Sequence, residues 1–161
     1  DEGQICPLAI ETSGHAAFRS NYFLDDGAYL ITRIIIKLAQ LKREGKTVED
    51  LIAALKEPAE RREIRLNITA EDFRALGNSV IEKLERYSAA HPNWRIADDN
   101  REGIRVCCDD ADGWFLLRLS VHDPVMPMNF ESDSVGGVDK MVKALGEFFA
   151  GIDGLDLSAF K

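Results

Sequence analysis

A positive balance is the first thing this sequence lacks. Its 20 Lys and Arg stand against 28 Asp and Glu, a formal net charge of −8. General binding to nucleic acid or to an anionic membrane calls for a basic field instead, so an anionic ligand has to be held by a local cluster. No long apolar run is present either. The densest apolar stretch, Ile34, Ile35 and Ile36, is interrupted by Arg33 and Lys37. That leaves no candidate membrane span, and the first ten residues have neither the basic start nor the apolar run of a signal peptide. Cysteine is scarce and odd in number: Cys6, Cys107 and Cys108 give no disulfide framework and fit a reducing cytoplasm. His15, His91 and His122 are too scattered, and the cysteines too isolated, for a zinc site. Repetitive and Pro/Gly/Ser-rich tracts are missing. What remains, 161 residues of which 45% are apolar and 30% charged, is a globular chain long enough for one domain or two small ones. Asp1 stands where an initiator methionine would, and the chain turns apolar almost at once, as a piece of something larger would.

The pattern along the chain is mixed. CPLAIE, residues 6–11, reads as a short buried strand, followed by a loop. AYLITRIIIKLAQLKREG, 28–45, reads as a helix ending at Gly45 behind Lys42 and Arg43, with apolar residues round most of its circumference, so burial on several sides is expected. TVEDLIAALKEP then offers Thr47 as N-cap, Asp50 three residues on, and Pro58 as a stop. Past Pro58 the period changes. REIRLNI alternates with Ile64, Leu66 and Ile68 on one face; a helix capped by Thr69 carries Phe73, Leu76, Val80, Ile81, Leu84 and Tyr87. Strands are expected near 103–108, 114–121 and 125–131, with an additional one at NWRIA, before a final helix bearing Met141, Leu145 and Phe149. The order β-α-β-β-β-α with short links implies an α+β domain, an antiparallel sheet with one face covered by helices. The boundary between the two parts falls in 55–62, dividing the chain into 1–60 and 61–161.

Two polar inserts stand out. If the strand runs through RLSVH, Arg118, Ser120 and His122 project to one face while Leu119 and Val121 point to the other. Guanidinium, hydroxyl, imidazole and loop N–H groups then make a cradle for a phosphate. The alternative is a solvated arginine beside an ordinary turn at His122, Asp123 and Pro124. ETSGH offers Glu11, Ser13 and His15 directly after a strand, suited to sugar hydroxyls. It also reads as an ordinary polar loop, and a Ser-His nucleophile ranks lowest because the G-x-S-x-G elbow is absent. DDADG, 109–113, fails as a calcium loop: Cys108 and Leu119 fall where acidic ligands belong, so a hairpin turn is expected. Asp25 and Asp26 read as helix caps.

In series, ETSGH, YFLDDGAYLITRII, EGIRV and GWFLLRLSVHDPVMPMNFES have the order and spacing that resembles the C-terminal part of the alpha-D-phosphohexomutases, of the phosphomannomutase/phosphoglucomutase type. The resemblance covers essentially the whole chain. It implies that 1–60 is the α/β C-terminal part of that family's third domain, and that 61–161 is its fourth, TATA-binding-protein-like domain. The implied reaction interconverts hexose 1-phosphate and hexose 6-phosphate through a phosphoserine and a bisphosphorylated sugar, glucose or mannose 1,6-bisphosphate. Carried over by position, Glu11 and Ser13 hold sugar hydroxyls and His15 is a proton acceptor near the reacting end; Arg118, Ser120, Val121 and His122 form the phosphate-binding loop. Val121 and His122 depart from the family pattern, which commonly has a polar residue and a threonine there.

No stretch resembles the family's phosphoserine loop or its Asp-rich magnesium loop. The Mg2+ of the full-length enzyme is therefore expected to have its ligands outside this chain, and the chain alone is expected to be inactive. Its expected partners are hexose phosphate, the missing upstream domains 1–3 and, through segment 6–41, a second copy. A stand-alone, non-catalytic sugar-phosphate-binding module and a purely structural domain are the other classes compatible with these residues.

Overall fold

The computed structural model describes residues 3, 5–11, 14–98, 100 and 102–160. The chain divides into two compact units, Asp1–Leu55 and Lys56–Lys161. The break lies within 55–62, five residues ahead of a division at 60/61, and Lys56 already reaches Asp133 of the second unit at 2.7 Å.

In the first unit, strands β1 (Leu8–Ile10) and β2 (Ala16–Phe18) pair antiparallel in register Ile10↔Ala16. Helix α1 spans Gly27–Arg43. The expectation of a buried strand followed by plain loop is corrected here: β1 is largely exposed, and its partner β2 lies in what read as loop. Asp26 is the N-cap of α1, its carboxylate accepting from Tyr29 N–H at 2.9 Å. That bond, with the Asn21 amide second, holds the Asp26 carboxyl below its ordinary range. The several-sided burial that such a helix calls for is not supplied within this unit. Leu41 is buried, but Ile31, Ile34, Ile35, Ile36 and Leu38 are all more than two-fifths exposed, since two short strands are too small to enclose a helix apolar on every side. The helix expected after Thr47 is a single 3-10 turn, Glu49–Leu51. Thr47 N–H donates back to Asp50 at 2.7 Å, one half of a capping box without a helix behind it.

The second unit is an α+β domain with elements β3 (Glu60–Ile68), α2 (Phe73–Ala90), β4 (Trp94–Ile96), β5 (Ile104–Cys108), β6 (Gly113–Leu117), β7 (Val125–Ser132), α3 (Gly137–Phe149) and β8 (Leu155–Asp156). Its six strands form an antiparallel sheet in the order β4-β5-β6-β7-β3-β8. Period two decides the covered face. Ile64, Leu66 and Ile68 of β3, Ile104, Val106 and Cys108 of β5, Phe115 and Leu117 of β6, and Met126, Met128 and Phe130 of β7 are all buried. Against them lie Val80 and Leu84 of α2 and Val138, Met141, Val142, Leu145 and Phe149 of α3. Each side chain of this size contributes roughly 1.5–3 kcal/mol on full burial. Asp72, not Thr69, caps α2, accepting from Ala75 N–H at 2.9 Å. Of the adjacent cysteines, Cys108 is core and Cys107 half-buried; burial pushes the Cys108 thiol far up. The 109–113 segment is a 3-10 turn closed by Asp112 at φ 46°, the link between β5 and β6. Among the described residues, no helix is long and apolar enough to cross a membrane.

Candidate functional site

The RLSVH insert begins where β6 ends, at Leu117, four residues before the end the sequence pattern suggested. The cause lies on the neighbouring strand. Continuing the register Leu117↔Met128 sets Arg118 opposite Pro127, and Arg118 N–H does donate to the Pro127 carbonyl at 3.0 Å. The return bond cannot form because proline has no N–H. One further bond, Ser120 N–H to the Val125 carbonyl at 3.0 Å, holds the tip, and then the ladder stops.

Side-chain alternation survives to Ser120. Leu119 extends the core face of Phe115 and Leu117 and packs against the core, which leaves Arg118 and Ser120 on the opposite face. His122 is past the break: Ser120 Oγ accepts from Asp123 N–H at 3.2 Å, turning the chain. The expectation that His122 shares a strand face with Arg118 and Ser120 is thus corrected. Val121 and His122 are exposed, and neither of their N–H groups has an acceptor among the described residues. The Arg118 side chain is 38% exposed, and among the described residues its ion-pair partner is Glu102, 3.9 Å away. Its Nε is buried without a hydrogen-bond partner among the described residues. An unmet buried donor costs about 1–3 kcal/mol. The tip thus combines one guanidinium, one hydroxyl and two free backbone donors, a set suited to an anion.

In the first unit, Gly14 N–H donates to the Glu11 carbonyl at 3.0 Å and Glu11 N–H to the His15 carbonyl at 2.9 Å. Gly14 has φ 91°, which a glycine adopts without steric cost. Ser13 lies outside the described residues; Glu11 and His15 are exposed at the feet of the turn. A backbone bridge between Ala17 and Asp25 brings Asp25 beside His15, and His15 Nδ1 lies 2.6 Å from Asp25 Oδ2. With Nδ1–H donated to the carboxylate, Nε2 is the free lone pair. Asp25 is the residue that sequence reasoning missed here, read as a cap when only Asp26 caps.

The Asp25 hydrogen bond, then its charge, raises the His15 pKa above the ordinary 6.5. A folded pKa above the unfolded one gives stability that is full below pH 6.5 and lost as pH rises through the folded value. Proton titration followed by NMR will place His15 above 6.5, and Asp25→Asn will bring it back down. An unchanged midpoint in Asp25→Asn contradicts the pairing.

Among the described residues, no group of three or more His, Cys, Asp or Glu is arranged to hold a metal ion.

The second unit is therefore an antiparallel α+β domain with a donor-rich strand tip. No protein-family model matches the chain. It is 33% identical over 129 residues to a phosphomannomutase/phosphoglucomutase of Pseudomonas putida and 32% identical to the protein of that name in Pseudomonas aeruginosa. Each match takes in 79% of this chain and 25% of the relative. A phosphoglucomutase of Neisseria gonorrhoeae is 28% identical over 83% of the chain. Among solved structures, a phosphoglucomutase/phosphomannomutase family protein from Burkholderia thailandensis superposes with a TM-score of 0.62 at 26% identity. That match covers 94% of this chain and 30% of the other. The chain belongs to the phosphomannomutase/phosphoglucomutase family of phosphohexomutases, and it spans about a quarter of the length of the curated relatives it matches.

Proposed function

We propose that the chain is the C-terminal part of an enzyme that interconverts hexose 1-phosphate and hexose 6-phosphate through a bisphosphorylated sugar. In this reading the first unit ends the enzyme's third domain and the second is its fourth, TATA-binding-protein-like domain. Arg118, Ser120 and the amides of Val121 and His122 grip the phosphate that is not transferred. Glu11 and Ser13 bind sugar hydroxyls, and His15, oriented by Asp25, accepts a proton through Nε2. Phosphoserine and magnesium ligands belong to upstream domains, which also cover the exposed α1 face; without them segment 6–41 self-associates, and the chain alone turns over no hexose phosphate.

The observation that carries this reading is the strand tip: an arginine with a buried, unpartnered donor beside two free amides, in a chain of this family. In a chain of net charge −8 an anion is held only where such donors act together, each charge-assisted bond contributing about 1.5–3 kcal/mol at best. Affinity is accordingly weak but local. Titration with inorganic phosphate or glucose 1,6-bisphosphate will shift the backbone amides of 118–123 first. Arg118→Ala will remove the response, whereas Arg105→Ala will not, because the Arg105 guanidinium is engaged 4.7 Å above the Trp114 ring. Equal loss in both variants, or loop amides that never move, leaves the tip a solvated turn.

A further inference from the structure

The strand tip is mounted on α2 at two points. Leu119 lies over Gly77, so closely that a Cβ there would come within 2.5 Å of Leu119 Cδ1. One turn earlier on the same helix, Arg74 donates from Nη2 to the Val121 carbonyl at 2.5 Å. Residues three apart on a helix share a face, and residues two apart on an extended strand do as well. Positions 74 and 77 are thus matched to 121 and 119. The Leu119 contact fixes height above the helix; the Arg74 bond fixes rotation of a peptide plane.

That rotation has a chemical consequence. Among the described residues no peptide bond is cis, and in a trans peptide the C=O and the next N–H point in opposite directions. Drawing the Val121 carbonyl toward α2 therefore turns the His122 N–H away from it. Turned the other way, the Val121 carbonyl would face an anion at the tip in place of the His122 N–H and repel it. Arg74 itself is spent on that oxygen, and its other contact is with the Phe73 ring, 5.2 Å from the guanidinium carbon.

We infer that Arg74 is a positioning residue of the strand tip: it locks the Val121–His122 peptide so that the His122 amide, not the histidine side chain, donates to the bound phosphate. This rests on the phosphate reading above and deepens it. It also accounts for how a loop with valine and histidine at these two positions still binds an anion: the donor is backbone, and the side chains are free to vary.

The experiment compares Arg74→Met and Arg74→Lys with the unsubstituted chain. In the absence of ligand, the Val121 carbonyl carbon shift and the residual dipolar coupling of the His122 N–H will change in Arg74→Met and return toward the original values in Arg74→Lys, which keeps a donor in reach. The remaining α2 amide shifts, which report a merely structural loss, will stay in place. On titration with inorganic phosphate, Arg74→Met will bind about tenfold more weakly, with the His122 amide response reduced more than that of Arg118. If the ligand-free carbonyl shift and coupling are the same in Arg74→Met, the inference is overturned, even where affinity falls, since Arg74 would then act only by its charge. If the unsubstituted chain gives no response to phosphate, the phosphate reading falls and this inference with it.

Discussion

Gly103→Ala will unfold the second unit at markedly lower denaturant and will also remove the phosphate response of Arg118 and Ser120. Gly103 has φ 75°, and a Cβ there would stand 2.0 Å from the Leu117 carbonyl oxygen and 2.9 Å from Arg118 Cα. The conformation alone costs an L-residue roughly 1–2 kcal/mol. The contacts are with backbone, so no rotamer change relieves them, and overpacking of this kind adds about 1–3 kcal/mol. A loss near 3 kcal/mol is expected. The contact is relieved only if the link between β4 and β5 and residues 117–118 move apart, which displaces Arg118 and separates it from Glu102, 3.9 Å away on the link. Equilibrium urea unfolding gives the first quantity, and amide shifts under phosphate give the second. A variant that is destabilised yet keeps the unaltered loop response would show that the glycine serves packing alone.

The sheet and its covered face were legible because period two and period 3.6 are strong signals when apolar residues occupy every expected position. Ile64, Leu66 and Ile68 alternate, and Val80 and Leu84 recur on one helix face. The failures have separate causes. Residues 47–58 carry a helix-start signal and an apolar stripe, yet form one 3-10 turn; a short amphipathic segment needs a surface to pack on before propensity becomes structure. The N-cap of α2 went to Asp72 rather than Thr69 because either can accept from the first turn and Asp72 is the residue next to it.

At the site, the donor types were visible but their geometry was not. The end of β6 is set by Pro127, nine residues after Arg118 itself; its signal, a proline within an alternating run, could have been read as a missing ladder bond. Asp25 is ten residues from His15, and their contact at 2.6 Å depends on a bridge between Ala17 and Asp25 that no local pattern announces. Arg74 meets Val121 across 47 residues. Charged residues in the first turn of a helix are common enough that nothing in the sequence set this one apart.

Gly137→Ala is expected to destabilise the same unit by about 2–3 kcal/mol while leaving the strand tip untouched. A Cβ at Gly137 would lie 2.1 Å from Ser132 Oγ and 2.4 Å from the Ala111 carbonyl oxygen. Neither neighbour is free to give. Ser132 is buried, its hydroxyl 2.7 Å from the Ala111 carbonyl oxygen and accepting from Ser134 N–H at 3.0 Å, so displacement breaks bonds that have no water to replace them. Alanine's better helix propensity returns up to about 1 kcal/mol, which is why the net falls below the cost at Gly103. The same corner holds the start of α3 by an unusual cap. The Glu60 carboxylate, from the first residue of β3, accepts from Gly136 N–H at 2.8 Å and Val138 N–H at 3.1 Å, where Gly136 has no side chain to do so. Pushing Gly137 outward draws those two donors off Glu60, so the clash and the lost cap act together. Because β6 runs from this corner at Gly113 to the tip beyond Leu117, the two glycines sit at opposite ends of one strand. Urea midpoints should fall in both variants, but the phosphate shifts of Arg118 and Ser120 should survive in Gly137→Ala. If they vanish there too, the tip depends on the stability of the whole sheet, and the local account given for Gly103 is wrong.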